Sequence, residues 1–320
     1  MKIPSTACHV ALLAATGKTQ QRNVSDMPRI QNLALPFALA ASLMAGSASA
    51  QSVADACPSP LRMADTGIEG MGNLSEAFGP FAETFEELTG VELALFPLSN
   101  RTAAGTALQF DEVEFVFAGP SEFVLFQQLA EMDILFSIVR PHYGSSFVVK
   151  ADSDIRTLAD LKGKRVALKD AGSTSGHIFP MMLMAEAGLD PQNDAEIIMA
   201  GDARLQVLIN DDVDAMGGGN RDWDAIREQD PDTEYRLLAQ TDTLPGDPVV
   251  MRASLPQECR DALRETLAEH SDVLWESLTA TERNAEKFIE RDAYMSFETD
   301  PAIYDVVRKA YEVAGIPLDD

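Results

Sequence analysis

Three consecutive hydroxyl side chains, Ser173, Thr174 and Ser175, lie between two glycines in the segment DAGSTSGHIFP (170–180). The preceding residues KRVALKD (164–170) predict a strand, and the apolar run that follows predicts a helix. A helix that begins there presents unpaired backbone N–H groups and the positive end of its dipole. With added hydroxyl donors, these groups suit a phosphate-like oxyanion. A simple helix N-cap with polar neighbours is the other interpretation.

His177 follows Ser173 by four residues, so both side chains could share one helix face. A serine nucleophile would also need an orienting acid and an oxyanion hole, and the sequence has no G-x-S-x-G turn. We therefore expect no catalytic residue and no enzyme. His177 is interpreted as a packing or rim residue that could also touch a ligand, and a serine hydrolase using Ser173 or Ser175 is the alternative.

The charge balance excludes several classes of partner. The chain of 320 residues has 51 acidic residues against 25 lysines and arginines, a formal net charge of -26. Nucleic-acid-binding proteins usually show a basic face, so this balance argues against nucleic acid and against anionic membrane surfaces. It does not exclude a small anion, because a local cluster of donors can bind one. The sequence has no CxxC motif or Cys/His cluster, so neither a metal nor a cofactor is predicted.

The N-terminal region reads as an export signal. From Met27 the chain has a basic Arg29, an apolar run and the small-residue motif Ala48-Ser49-Ala50. We expect residues 1–50 to be a signal region cleaved near Ala50, with Met27 the true start, and the mature chain to be periplasmic. Two cysteines, Cys57 and Cys259, would remain. An exported chain permits a disulfide, but the spacing of these two leaves the question open.

The elements that must position the hydroxyls alternate along the chain. Helical runs separate the predicted strands and dominate residues 256–317, a pattern typical of an α/β protein. The chain crosses once near 139–145 and returns near 240–248, which predicts a two-lobed clamshell, each lobe a mostly parallel sheet flanked by helices. Lobe one is expected to comprise 51–140 plus 245–320, and lobe two 141–244. The predicted strands are 61–66, 91–98, 113–119, 145–151, 164–170, 195–200, 213–219, 234–241 and part of 244–256.

The segment TLADLKGKRVALKDAGSTSGHIFPMMLMAEAGLDP (157–191) resembles the central part of phosphonate-binding proteins of ABC importers, the phosphate/phosphite/phosphonate substrate-binding family. The resemblance covers about residues 58–260. It implies a type II periplasmic binding protein that is a monomer and delivers its ligand to an ABC permease in the inner membrane. Further similar blocks, in the same order, are FGPFAETFEELTGVEL (78–93), ALQFDEVEFVFAGPSEFVL (107–125), INDDVDA (209–215) and LPGDPVVMRASLP (244–256).

The resemblance also implies roles for individual residues. The three hydroxyls at 173–175 would hold anionic oxygens, and Tyr143 matches a tyrosine that lines the family's cleft. Two departures concern ligand choice. Phe123 stands where family members often carry tyrosine, and Gly201-Asp202 stands where many have a His-Asp pair. The glycines at 217–219 are a third departure, expected to let backbone approach the ligand closely.

Other candidates come from positions after predicted strands, because ligands of open α/β sheets bind beyond the carboxyl ends of strands. Asp202 and Glu122 are either helix-start acids or acceptors for a protonated oxyanion or an ammonium group. The further candidates reached by this argument are Ser99, Asn100, Ser121 and Asn220.

The favoured prediction is therefore a transport protein that closes on a phosphonate, phosphite, phosphate or other oxyanion. A periplasmic sensor that reports its ligand to a membrane histidine kinase is the alternative within the same fold.

Overall fold

Eleven strands form two sheets in the part of the chain that the computed structural model describes, residues 52–68 and 70–318. The predicted signal region at 1–50 and the start at Met27 lie outside the described residues. In the first sheet the order is β11-β4-β10-β3-β1-β2, and in the second it is β7-β6-β8-β5-β9. The strands are β1 (Leu61–Asp65), β2 (Leu93–Leu95), β3 (Phe115–Phe117), β4 (Met132–Val139), β5 (Ser145–Lys150), β6 (Arg165–Leu168), β7 (Glu196–Met199), β8 (Ala215–Gly219), β9 (Tyr235–Gln240), β10 (Asp247–Arg252) and β11 (Tyr294–Ser296).

Helices flank both sheets, which confirms the predicted α/β class. They are α1 (Val53–Ala56), α2 (Met71–Thr89), α3 (Ala103–Gln109), α4 (Pro120–Phe126), α5 (Phe179–Glu186), α6 (Arg204–Ile209), α7 (Asn220–Gln229), α8 (Gln257–Glu269), α9 (Ser271–Leu278), α10 (Glu282–Phe288) and α11 (Asp305–Ala314). Single 3₁₀ turns span Leu158–Leu161, Gly201–Ala203, Ile289–Arg291 and Pro301–Tyr304, and Thr174–Ile178 forms a π-helical turn. Over the described ranges, no helix is both long enough and apolar enough to cross a membrane.

Both sheets are mixed, which corrects the expectation of mostly parallel sheets. β1 pairs in parallel with β2 and β3, and β6 with β7 and β8, whereas the other pairings are antiparallel. The reason lies in the two crossings of the chain. β5 and β10 each begin where the chain has just crossed between sheets, so they run opposite to the strands that end at that edge. β4 and β11 are strands that were not predicted from the sequence.

Phenylalanines dominate the core between the first sheet and α2. The ring of Phe117 packs against Phe78, Phe81 and Phe136, with centroid distances of 4.8, 5.4 and 5.8 Å. The helix α2 ends at Gly90, in the left-handed conformation (φ 71°) that glycine adopts without a steric penalty. This core fixes the carboxyl ends of β1 and β3, which point toward the candidate site.

The two cysteines left open by the sequence are joined. A disulfide links Cys57, just after α1, to Cys259 in α8, across 202 residues of sequence. This bond closes a long loop, so it constrains the unfolded chain strongly.

The C-terminal helix contacts elements that follow strands of both sheets. The helix α11 packs against α4, which follows β3 of the first sheet, and against α5, which follows β6 of the second. Tyr311, Phe123 and Phe179 belong to one buried apolar cluster there. The segments after β3 and β6 are therefore held close together. The division into two lobes at 141 and 244 stays a prediction.

Candidate functional site

The hydroxyl segment forms a π-helical turn rather than the first turn of a regular helix. The carbonyl of Ser173 accepts hydrogen bonds from the amides of His177 and Ile178 at 2.9 and 3.0 Å. Pro180 has no N–H to donate to the carbonyl of Gly176, which instead accepts from the amide of Lys169 at 2.9 Å. The regular helix α5 begins only at Phe179. The turn is wide, and its first amides have no partner within the turn itself.

This turn opens into a cavity of about 460 Å³ at the carboxyl ends of strands from both sheets. Residues that follow β1, β3 and β4 form one wall, and residues that follow β6, β7 and β8 form the other. The cavity therefore lies where open α/β sheets bind ligands. The predicted site residues that line it are Glu122, Tyr143, Ser173, Thr174, Ser175, Asp202 and Asn220.

Ser121 and Thr174 make a buried contact beneath the cavity. The Thr174 hydroxyl accepts from the amide of Ser121 at 3.0 Å, and the two hydroxyl oxygens lie 2.7 Å apart. Ser121 is fully buried and also donates to the carbonyl of Gly172. Ser121 is therefore not among the lining residues. It connects α4 to the turn that begins with the three hydroxyls of residues 173–175, the hydroxyl turn.

Three further predicted residues lie outside the cavity lining. Ser99 and Asn100 are exposed, and the side chain of Asn100 accepts from the amide of Ala103 at the start of α3. His177 is buried and accepts from the amide of Gly172 through Nδ1 at 3.2 Å. Burial lowers the pKa of His177 to about 4, so it is neutral at neutral pH. It stabilises the turn in that form.

The cavity is rich in cations that the sequence analysis did not assign to the site. Eight of the chain's 25 lysines and arginines line it. They are Arg101, Arg140, Lys169, Arg204, Arg221, Arg283, Lys287 and Arg291. In a chain with a net charge of -26, this concentration makes the cavity interior different from the molecule as a whole. Two of them are next to predicted positions in the sequence: Arg101 follows the Ser99-Asn100 pair, and Lys169 comes directly after β6, before the hydroxyls.

The most buried ion pair in the wall joins Arg204 to Asp222. The guanidinium Nε and Nη2 donate to the two carboxylate oxygens at 2.9 and 2.6 Å, and both side chains are at most 5% exposed. A bidentate pair of this kind fixes both side chains. Gly218 provides the space, because a Cβ there would lie 2.1 Å from the Asp222 carboxylate.

That finding corrects the expected role of the glycine run. A Cβ at Gly217 would meet Leu168 and Pro180, so Gly217 and Gly218 accommodate packed side chains and not the ligand. Only Gly219 lines the cavity, beside the hydroxyl of Ser175. Next to it, Asn220 presents a buried Oδ1 that finds no hydrogen-bond partner among the described residues.

Two lining residues have pKa values set by their surroundings. Burial and the nearby Arg204 and Arg221 lower the pKa of Lys169 to about 8, although Asp202 opposes them. Burial raises the pKa of Tyr143, whose ring stacks 3.8 Å from the Arg140 guanidinium and whose hydroxyl faces Ser175 and Thr174. Tyr143 therefore remains a protonated donor. No group of three or more His, Cys, Asp or Glu residues over 52–68 and 70–318 is arranged to hold a metal ion.

Two mixed sheets with helices on their faces, and a polar cavity at the strand ends, match the fold of type II periplasmic binding proteins. The chain belongs to the family of ABC-transporter phosphonate periplasmic substrate-binding proteins, whose family model matches residues 69–272. Members of this family are periplasmic proteins of ABC importers that bind small ligands and work with membrane permeases.

Individual relatives agree with this assignment. The phosphate-import protein PhnD of Mycolicibacterium smegmatis is 26% identical over 308 residues, which cover 90% of this chain and 96% of the relative. A binding-protein component of an ABC phosphonate transporter from Pseudomonas aeruginosa has a similar fold, with a TM-score of 0.64 at 19% identity over 81% of this chain and 87% of that one. PhnD1 of Prochlorococcus marinus in complex with methylphosphonate gives 0.63 at 17% identity over 79% and 97%.

Proposed function

We propose that this chain is the substrate-binding protein of an ABC importer and that it binds a phosphonate-, phosphite- or phosphate-like oxyanion in the cavity. The observation that carries the proposal is the hydroxyl turn of residues 173–175, which opens into a cavity lined by eight cations. Relatives whose names specify phosphate import and methylphosphonate binding support the same ligand class.

The groups around the turn suit an oxyanion chemically. The hydroxyls of Ser173 and Ser175, the hydroxyl of Tyr143 and the free amides of the turn are all hydrogen-bond donors. Lys169 and Arg221 add positive charge from the same side of the cavity. Donors and charge together give short, charge-assisted hydrogen bonds to the ligand oxygens. The amide of Asn220 can turn its NH₂ group toward the same anion.

Transport requires that the bound state be recognised. In the proposed cycle the two halves of the cavity close on the anion, and the closed form docks on the permease. Contacts between Ser121 and Thr174, and between Arg101 and Asp170, join segments that follow strands of different sheets. Export after cleavage near Ala50 fits the disulfide, since such bonds persist in oxidising compartments.

A thermal-shift screen of the purified protein tests the proposal. The ligands are phosphite, phosphate, methylphosphonate, 2-aminoethylphosphonate, sulfate and arsenite. At least one phosphorus oxyanion should raise the melting temperature in a concentration-dependent manner, because a ligand that binds only the native state stabilises it.

The matched variant is Ser175→Ala, with Ser271→Ala on α9 as a control outside the cavity. A shift that Ser175→Ala weakens and Ser271→Ala preserves supports the proposal. No shift with any phosphorus oxyanion contradicts it. Hydrolysis of a phosphoester panel that Ser173→Ala abolishes would instead indicate a hydrolase.

A further inference from the structure

The cavity has room for more than one tetrahedral oxyanion. Its volume of about 460 Å³ lies within the range of roughly 300–1,000 Å³ found for small-molecule sites. At roughly 30 Å³ per water molecule in the liquid, the same space would hold about fifteen oxygen-sized atoms. Phosphate or phosphite has at most five heavy atoms, so it fills only about a third of that space.

The carboxylates of the wall are already engaged, which disfavours a ligand with an ammonium group. Asp65 accepts from the amide of Gly67 at 2.7 Å. Burial raises the pKa of Asp65, which favours its neutral, protonated form. Glu286 is exposed at the rim and is the remaining lining acid outside the ion pairs of the described residues. The paired acids are Glu122 and Asp170 with Arg101, Asp247 with Arg140 and Lys287, and Asp202 with Lys169 and Arg204.

By contrast, among the side chains described, three lining arginines, Arg221, Arg283 and Arg291, have no carboxylate committed to them. The nearest carboxylate to Arg221 is Asp222 at 4.0 Å, but Asp222 is committed to Arg204. Among the side chains that the structure describes (52–68, 70–289 and 291–318), no carboxylate oxygen lies within 4.0 Å of the guanidinium groups of Arg283 and Arg291. The cavity therefore offers guanidinium groups, and not carboxylates, for contacts with a ligand.

These arginines stand at different parts of the wall. Arg221 is next to the hydroxyl turn: a Cβ on Gly219 would lie 3.3 Å from the Ser175 hydroxyl and 3.9 Å from Cγ of Arg221. Arg283 belongs to α10 and Arg291 to the 3₁₀ turn after it, which lead into β11 of the first sheet. Positive charge is thus available beside the turn and also on the segment 283–291.

We propose that the cavity takes a bifunctional anion. A phosphonate-type group occupies the hydroxyl turn beside Arg221, and a second anionic group, a carboxylate or phosphonate on a short linker, is received by Arg283 and Arg291. Guanidinium groups bind such oxyanions in a bidentate manner. This assignment rests on the proposed function, since it extends the ligand from the same turn.

Isothermal titration calorimetry on the whole protein tests the second group with three matched ligands: ethylphosphonate, 2-aminoethylphosphonate and 3-phosphonopropionate. We expect 3-phosphonopropionate to bind at least about 10-fold more tightly than ethylphosphonate, and 2-aminoethylphosphonate to bind more weakly than either. The double variant Arg283→Gln/Arg291→Gln should weaken 3-phosphonopropionate about 10-fold and leave ethylphosphonate unchanged. Arg227→Gln, on α7 but outside the cavity lining, is the control and should change neither.

The outcomes separate this inference from the proposed function. If ethylphosphonate and 3-phosphonopropionate bind equally, or if 2-aminoethylphosphonate binds most tightly, the second anionic group is refuted while oxyanion binding stands. If none of the three ligands and no phosphate binds, both are refuted. Binding of ethylphosphonate also shows that a variant is folded. If the double variant no longer binds ethylphosphonate, the same comparison of the two ligands is made with the single variant Arg283→Gln, whose position is exposed.

Discussion

The hydroxyl of Thr174 lies 2.7 Å from that of Ser121, 53 residues away in sequence, and accepts from the Ser121 amide at 3.0 Å. Ser121 belongs to α4, after β3 of the first sheet, and Thr174 to the turn after β6 of the second. Both side chains are buried. The central hydroxyl of the candidate site therefore serves the protein's own packing, and the hydroxyls on either side of it are the better placed donors for a ligand.

Thr174→Val should destabilise the fold. The valine keeps the shape of threonine but leaves the buried amide of Ser121 without its acceptor, which costs about 1–3 kcal/mol of unfolding free energy. Thr174→Ser retains the hydroxyl and should cost less. Urea denaturation of both variants measures the difference, with Thr106→Val on the exposed side of α3 as a control. Equal stability of Thr174→Val and the unmodified protein would show that this contact carries no weight.

Ser173→Ala and Ser175→Ala should each weaken oxyanion binding. Loss of one charge-assisted hydrogen bond costs about 1–3 kcal/mol, or roughly 5- to 150-fold in Kd. Calorimetry with the ligand that gives the largest thermal shift measures the change, and Ser271→Ala supplies the control. Unchanged affinity in either variant would remove that serine from the site.

Asp222→Ala should be among the most damaging single substitutions in the second sheet's wall. It would leave Arg204 buried without its bidentate partner, and breaking such a pair costs about 3–5 kcal/mol. The double variant Arg204→Met/Asp222→Leu removes both charges, so we expect it to recover part of the loss. Chemical denaturation of the single and double variants gives the coupling between the two residues. A single variant within about 0.5 kcal/mol of the unmodified protein would contradict this account of the pair.

The pKa of Lys169 predicts a pH dependence. In the folded protein it lies near 8, below the ordinary value of 10.5, because of burial and the neighbouring arginines. The unfolded chain then binds more protons than the folded one between pH 8 and 10.5. Through this group, the unfolding free energy should rise with pH across that window.

Ligand affinity should change in the opposite sense. A bound anion favours the protonated ammonium, so affinity should fall as the pH rises through 8. Lys169→Arg keeps its charge throughout this range and should abolish the decline, while any titration of the ligand itself is common to both proteins. Calorimetry at several pH values compares them. Parallel pH profiles would exclude Lys169 as the titrating group.

Local signals in the sequence were sufficient for most of the fold. The predicted order of strand, hydroxyls and helix around residues 164–186 matches the structure. The π-helical turn was not predicted, because it depends on where the freed carbonyl of Gly176 finds a donor. β4 was not predicted because no glycine or proline separates its apolar residues from the helical pattern of α4.

The cations were less accessible to sequence reasoning for a different reason. Arg283, Lys287 and Arg291 lie in a stretch whose composition indicates only a helix, more than 100 residues from the hydroxyls. Their approach to the cavity depends on how α10 is placed beside the first sheet, which no local pattern specifies. Similarly, Ser99 and Asn100 follow a strand and were therefore predicted as ligand donors, but it is the neighbouring Arg101 that lines the cavity.

The position of α11 has a practical consequence for binding measurements. This helix lies on α4 and α5 together, so it contacts the supports of both cavity walls. Any substitution that weakens the packing of α11 would therefore disturb both walls at once. Affinities measured on such variants should be interpreted together with their stability.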